Sequence, residues 1–133
     1  MVSILHADDD HSDRWDLRYM INELQPNVNV IGFSSGLELM QYLGEISDGL
    51  LPAFVFLDLR MPIWDGIKTL KALKAEPRYT TIPVYILSAI DSKKEMDLGS
   101  QLGAERFILK PTTEEQRLKV RIILAELLTK LDL

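Results

Sequence analysis

The sequence predicts an α/β domain built on a five-stranded parallel sheet with helices on both faces. Three observations lead there. Short apolar runs of strand length alternate five times with stretches whose apolar residues recur at helical spacing. The central run, "PAFVFLD" at 52–58, is apolar on both sides of the alternation, as in strands covered on both faces. The chain has 133 residues, 47% of them hydrophobic, which suits one domain with its own core.

Each element follows from local pattern. "VSILHA" (Val2 to Ala7) reads as the first strand and gives way to Asp8-Asp9-Asp10. Leu17, Met20, Ile21 and Leu24 then sit at i, i+3, i+4 and i+7, with Asp10 or Ser12 able to cap the helix and Pro26 to stop it. "VNVIGF" (Val28 to Phe33) is the second strand. Ser35 opens a helix through about Gly44, with Leu39, Met40 and Leu43 on one face. After the third strand, Gly66 to Glu76 form a helix with Ile67, Leu70 and Leu73 inward and Lys68, Lys71 and Lys74 on a solvated face; Pro77 ends it. "IPVYILSA" (Ile82 to Ala89) is the fourth strand. Ser92 to Leu102 make a helix with few apolar residues, Met96 and Leu102 among them, interrupted by Gly99. "RFILK" is the fifth strand. From Thr112 or Thr113 a last helix runs to the end, with Val120, Ile123, Leu124, Leu127 and Leu131 as its inner face. Right-handed crossovers between parallel strands put these helices on both sides of the sheet. The expected arrangement is a flavodoxin-like (βα)5 three-layer sandwich of strand order 2-1-3-4-5.

Composition excludes several classes of function. With no cysteine there is neither a disulfide nor a thiolate metal site, and a reducing compartment fits. The net charge is -5 and no basic stripe runs along the chain, so no nucleic-acid partner is expected. No apolar run approaches the ~18 residues of a membrane span. The start, "MVSILHADDD", lacks the basic segment and long apolar stretch of a secretion signal, so the expected location is the cytoplasm. Residues 1–133 are expected to be one domain with no output domain attached, so any signal leaves through protein contacts.

In a doubly wound sheet, function gathers beyond the carboxyl ends of the strands, at the point where strand order reverses. Strand 1 ends on Asp8-Asp9-Asp10, strand 3 on Asp58, strand 4 on Ser88-Ala89 and strand 5 on Lys110-Pro111. Several carboxylates, a hydroxyl and an ammonium thus meet at one rim. Two carboxylates ~4 Å apart repel by about 4 kcal/mol at an effective dielectric of ~20. Lys110 offsets part of that and a divalent cation offsets more. All the donors are oxygens, which favours Mg²⁺, Mn²⁺ or Ca²⁺ over zinc or copper; few carboxylates with open positions favour Mg²⁺. A carboxylate nucleophile, a metal, a cation and a hydroxyl donor are the parts of phosphoryl chemistry.

Four segments in order, the acidic pair after "ILHA", "LDLRMPIWDG", "ILSA" and "ILKP", make the chain resemble a bacterial response-regulator receiver domain along essentially its whole length. The resemblance implies that Asp58 accepts a phosphoryl group from a phosphohistidine of a sensor histidine kinase or phosphotransfer protein. It places Mg²⁺ on Asp8 or Asp9, with Asp9 the direct ligand, on Asp58 and on the backbone carbonyl of Arg60. It assigns Ser88 and Lys110 to phosphoryl oxygens, with Ala89 following Ser88 at the strand end, and Phe107 to the switch aromatic. It makes the Lys110–Pro111 bond cis, and Pro62 and Gly66 parts of a turn that shapes the site wall and restarts the chain as a helix. Output is implied through the face of helix 4, strand 5 and helix 5 toward an unidentified downstream protein, with homodimerisation an open alternative. "EPRYTTIP" and "DDDHSDR" are similar to receivers that serve phytochrome-type kinases. Arg60 and Ile90 occupy positions that in this family modulate phosphate loss, and Asp10 is an additional acid.

Plainer readings exist for each residue. The three aspartates can cap helix 1, where its dipole favours acids. Ser88 taken singly is an ordinary strand-end serine, Lys110 taken singly a solvated surface lysine, and Phe107 is partly core. His6 reads as a core or edge residue, His11 as a group near the site mouth, and Trp15 and Trp64 as rim or core residues. Rival functions are weaker fits. A haloacid-dehalogenase-type phosphatase uses the same residue types, but with its nucleophile after the first strand in a D-x-D arrangement and with a cap. A flavin or nucleotide module would meet three repelling aspartates and has no P-loop or G-x-G-x-x-G here. A pseudo-receiver that never takes phosphate and acts only as an interaction module fits less well, because this chain carries all the residues the chemistry needs.

Overall fold

In the computed structural model, which describes residues 1–133, five strands alternate with five helices. The strands are β1 (Ser3–Ala7), β2 (Asn29–Phe33), β3 (Phe54–Leu57), β4 (Val84–Ser88) and β5 (Arg106–Leu109). The helices are α1 (His11–Leu24), α2 (Gly36–Glu45), α3 (Gly66–Ala75), α4 (Lys93–Gln101) and α5 (Glu114–Leu128), with a short 3-10 turn at Asp48–Leu50. All strand pairs are parallel and the order is β2-β1-β3-β4-β5, as the sequence predicts. The strands are one to three residues shorter than the apolar runs. Val2, Val28 and Ile82-Pro83 precede the ladders, and Ala89 and Lys110 follow them.

Short polar side chains start every helix. Asp10, Ser35, Asp65, Ser92 and Thr113 each accept a hydrogen bond from the backbone N–H three residues on. Each satisfies one donor that the helix itself leaves free. Asp10, not Ser12, caps α1. The last helix begins at Glu114, after the Thr113 cap. At the far end of α4, Gly103 adopts φ 104°. Its N–H donates to the Ser100 carbonyl at 3.1 Å, and Ala104 N–H donates to Gly99 at 2.9 Å. This left-handed stop needs a glycine.

Two cores share the sheet. One face carries Ile4, Phe54, Phe56, Tyr85, Leu87 and Ile108 against Leu17, Met20, Ile21, Val120, Leu124, Leu127 and Leu128 of α1 and α5. The other carries Leu5, Ala7, Val55, Leu57, Val84 and Ile86 against Leu39, Leu43, Leu70 and Leu73 of α2 and α3. Strand residues alternate strictly between the two, so β1, β3 and β4 are buried on both faces. Helix α4 is the exception. Gly99 is its only buried residue, while Met96 and Leu98 are exposed. No helix is long and apolar enough to cross a membrane.

Candidate functional site

Backbone hydrogen bonds bring the site together before any side chain acts. In the β1–β3 ladder Ala7 pairs with Leu57, so the next residues, Asp8 and Asp58, leave the sheet side by side. Asp58 N–H donates to the Ala7 carbonyl at 3.0 Å, and Asp8 N–H to the Phe33 carbonyl at 2.9 Å. Both aspartates are buried, and Asp9 is exposed. One carboxylate oxygen from each of Asp8, Asp9 and Asp58 lies within 4.8 Å of the others. That triad of hard oxygen donors, clustered but partly open, fits a small divalent cation that keeps some of its waters.

Lys110 comes from β5, with β4 between it and Asp58. Strands are ~4.8 Å apart, so only a long side chain spans that gap. The Lys110 N–H donates to the Ser88 carbonyl at 2.7 Å, fixing where the side chain starts. Its ammonium then lies 2.7 Å from Asp8 Oδ2, 2.7 Å from Asp13 Oδ2 and 3.4 Å from Asp58 Oδ2. The Lys110–Pro111 bond is trans, like every other peptide bond here, which corrects the cis expectation. The lysine stem alone carries the ammonium into the acidic cluster.

The charges divide the two buried aspartates. Burial pushes the Asp58 carboxyl up to about 6, the Asp8 charge pushes the same way, and Lys110 and the Arg60 amide oppose them. Burial acts upward on Asp8 as well, but the Lys110 ammonium at 2.7 Å and the Asp10 amide at 3.0 Å bring it down to about 2. Asp8 is therefore the permanent anion and Asp58 the basic carboxylate. Burial would lower the Lys110 pKa, yet Asp13 and Asp8 outweigh it and raise it, so the ammonium stays charged. His6 is fully buried in β1, and burial lowers its pKa, so it stands as a neutral ring. Its Nε2 is 3.6 Å from Asp8 Oδ2, too long for a hydrogen bond, and neither ring nitrogen has a partner.

The turn after β3 forms the site wall. Trp64 N–H donates to the Pro62 carbonyl at 2.8 Å around Ile63, whose φ is 68°. A β-branched residue there is strained, and this tight γ-turn keeps Ile63 exposed. Gly66 packs where a Cβ would lie 2.4 Å from the Asp58 carbonyl oxygen, so only glycine permits this approach. Ser88 is buried at the end of β4, and its Oγ accepts from Ile90 N–H at 3.2 Å, while Ala89 is exposed. Phe107 is half-buried against the α2–α3 core. Trp15 is exposed and stacked on Tyr19; Trp64 is half-buried beneath Lys68. His11 lies beside Arg14, outside the acidic cluster. Sequence reasoning missed two contacts. Asp13 reaches Lys110, and Arg60 donates to Glu95 Oε1 at 2.7 Å, tying the wall to α4. Nothing in the local pattern hinted at either contact.

Comparison with known proteins agrees with this geometry. Residues 4–123 match the family model described as the response regulator receiver domain. The Bacillus subtilis protein named "uncharacterized transcriptional regulatory protein YhcZ" is 31% identical over 121 residues, covering 90% of this chain and 53% of its own length. The transcriptional regulatory protein CpxR of Escherichia coli is 34% identical over 127 residues, covering 93% of this chain and 50% of its own length. The chain thus spans about half the length of these curated relatives. Among solved structures, a response regulator receiver domain from Rhodospirillum rubrum superposes with a TM-score of 0.85 at 28% identity, covering 99% of this chain and 96% of that one.

Proposed function

The chain belongs to the response regulator receiver domain family, and from that premise we propose that it is a phosphoryl-accepting switch with Asp58 as the acceptor. The observation that carries this reading is the pairing of Asp58, buried and raised to about 6, with the clustered Asp8 and Asp9 and the Lys110 ammonium. A carboxylate with that pKa is still mainly ionised at neutral pH, so it needs no general base, and it is a better nucleophile than an ordinary aspartate. The P–N bond of a donor phosphohistidine breaks as the P–O bond to an Asp58 oxygen forms, and the imidazole leaves with the electron pair. Lys110 neutralises charge on the incoming group. Ser88 supplies a hydroxyl donor at the next strand end. Asp8, Asp9, Asp58 and the Arg60 carbonyl would hold Mg²⁺, which when bound supplies positive charge for the phosphoryl oxygens.

The donor in this proposal is a sensor histidine kinase or phosphotransfer protein, met in the cytoplasm. The output is a protein contact of the α4–β5–α5 face with an unidentified downstream protein, coupled to the site through Ser88 and Phe107. The loose seating of α4 and its tie to Arg60 support that choice of face. The protein then catalyses only its own phosphorylation and slow dephosphorylation, and 1–133 act as a single receiver unit. The test is incubation with acetyl phosphate and Mg²⁺ followed by intact mass. The parent should gain one phosphoryl group and Asp58→Asn none. A parent that stays unmodified, or an Asp58→Asn variant that gains the group equally, sinks the assignment.

A further inference from the structure

Lys110 has more anionic partners than a phosphoryl-binding lysine needs. Its Nζ lies 2.7 Å from Asp13 Oδ2 and 2.7 Å from Asp8 Oδ2, but 3.4 Å from Asp58 Oδ2. Asp13 stands in the first turn of α1, three residues after the Asp10 cap. An acid at that place commonly folds back onto the cap's own amide. Here the Asp10 N–H is already taken by Asp8 Oδ1 at 3.0 Å, and Asp13 turns to the lysine instead. We infer that Asp13 is a positioning residue that draws the Lys110 ammonium toward α1, leaving it in a longer contact with Asp58 in the resting protein, and that it competes with the phosphoryl group for it.

The physical basis is a shared cation. One ammonium has three protons, and Asp8 and Asp13 hold the two shortest contacts. A phosphoryl group on Asp58 offers new anionic oxygens to the same Nζ. Asp8 lies in the metal-ligand cluster and is buried, so it cannot easily give way. The Asp13 side chain is 40% exposed, and water can replace its lysine contact when the ammonium turns toward the phosphoryl group. Asp13 thus sets how readily the site closes on its anion.

This inference rests on the phosphoryl-accepting reading, and the test separates the two. The probe is beryllofluoride with Mg²⁺, a stable mimic of an aspartyl phosphoryl group, with the bound species counted by ¹⁹F NMR. Asp13→Asn should bind it about threefold more tightly than the parent, the shift that one partly exposed ion pair is worth. Asp13→Glu, which keeps the charge and the reach, should restore parental affinity. Asp10→Asn is the charge control. It removes one negative charge beside the site, leaves the helix cap intact because asparagine caps as well as aspartate, and touches no lysine. An Asp13→Asn gain well beyond that of Asp10→Asn supports the inference. An equal gain, or none, overturns it and leaves the Asp58 assignment standing. Failure of the parent to bind beryllofluoride overturns both.

Discussion

Asp58 ionises in a place that resists its charge, and that resistance has a thermodynamic sign. Its pKa is raised from 3.8 to about 6, so between those values the folded protein holds a proton that the unfolded chain has lost. Stability therefore falls as pH rises from 3.8 through about 6. Asp8 has the opposite sign. Lowered from 3.8 to about 2, it adds stability above 3.8 that is lost as pH falls toward 2. The pair contributes most near pH 4. In chelator at neutral pH, Asp58→Asn should be more stable than the parent by about 2 kcal/mol, the order expected for a shift of this size. The gain should vanish below pH 4. Thermal unfolding of both proteins across this range checks it, and an Asp58→Asn variant less stable than the parent at neutral pH would refute the charge account. Asp58 was legible as a strand-end acid in the sequence. Its raised pKa was not, because burial and the distance to Asp8 exist only once β1 and β3 pair.

Elements differ in how firmly they are held. Helices α1, α2, α3 and α5 each seat three or four buried residues on the sheet, whereas α4 seats only Gly99. Its first turn is tied to the site wall by the Arg60–Glu95 ion pair, and the Arg60 side chain is 63% exposed. An exposed pair of that kind contributes only ~0.2–1 kcal/mol. Amide hydrogen exchange should therefore find α4 opening more readily than the other four helices. Equal protection of α4 and α3 would refute this. The sparse apolar content of 92–102 announces this weakness. The arginine tie across 35 residues does not show in any local pattern.

At the scale of the whole molecule, the sheet is common to both cores. Leu124 of α5 is 1% exposed on one side, and Leu70 of α3 is fully buried on the other. Truncating either to alanine should cost about 2–5 kcal/mol, the range for buried leucines. Because β1, β3 and β4 contribute to both cores, each variant should lower the midpoint of one shared transition. Two separable transitions in calorimetry would show that the faces fold independently and would contradict the shared-sheet account.

The sequence by itself determined the alternation of strands and helices, the strand order, Ser35 and Ser92 as the openings of two helices and the four strand ends that carry the chemistry. These follow from local rules: apolar period, helix capping and the placement of function at the carboxyl edge of a parallel sheet. The structure chose Asp10 over Ser12, Thr113 over Thr112, and added Asp65. Strands were read one to three residues too long, because an apolar run does not stop where its backbone partner stops. Only the tertiary structure decided that Lys110–Pro111 is trans, that Asp13 shares the lysine, and that Asp8 and Asp58 hold their protons so differently. Those outcomes depend on distances between residues from four separate segments, and such distances are fixed only when the whole sheet has closed.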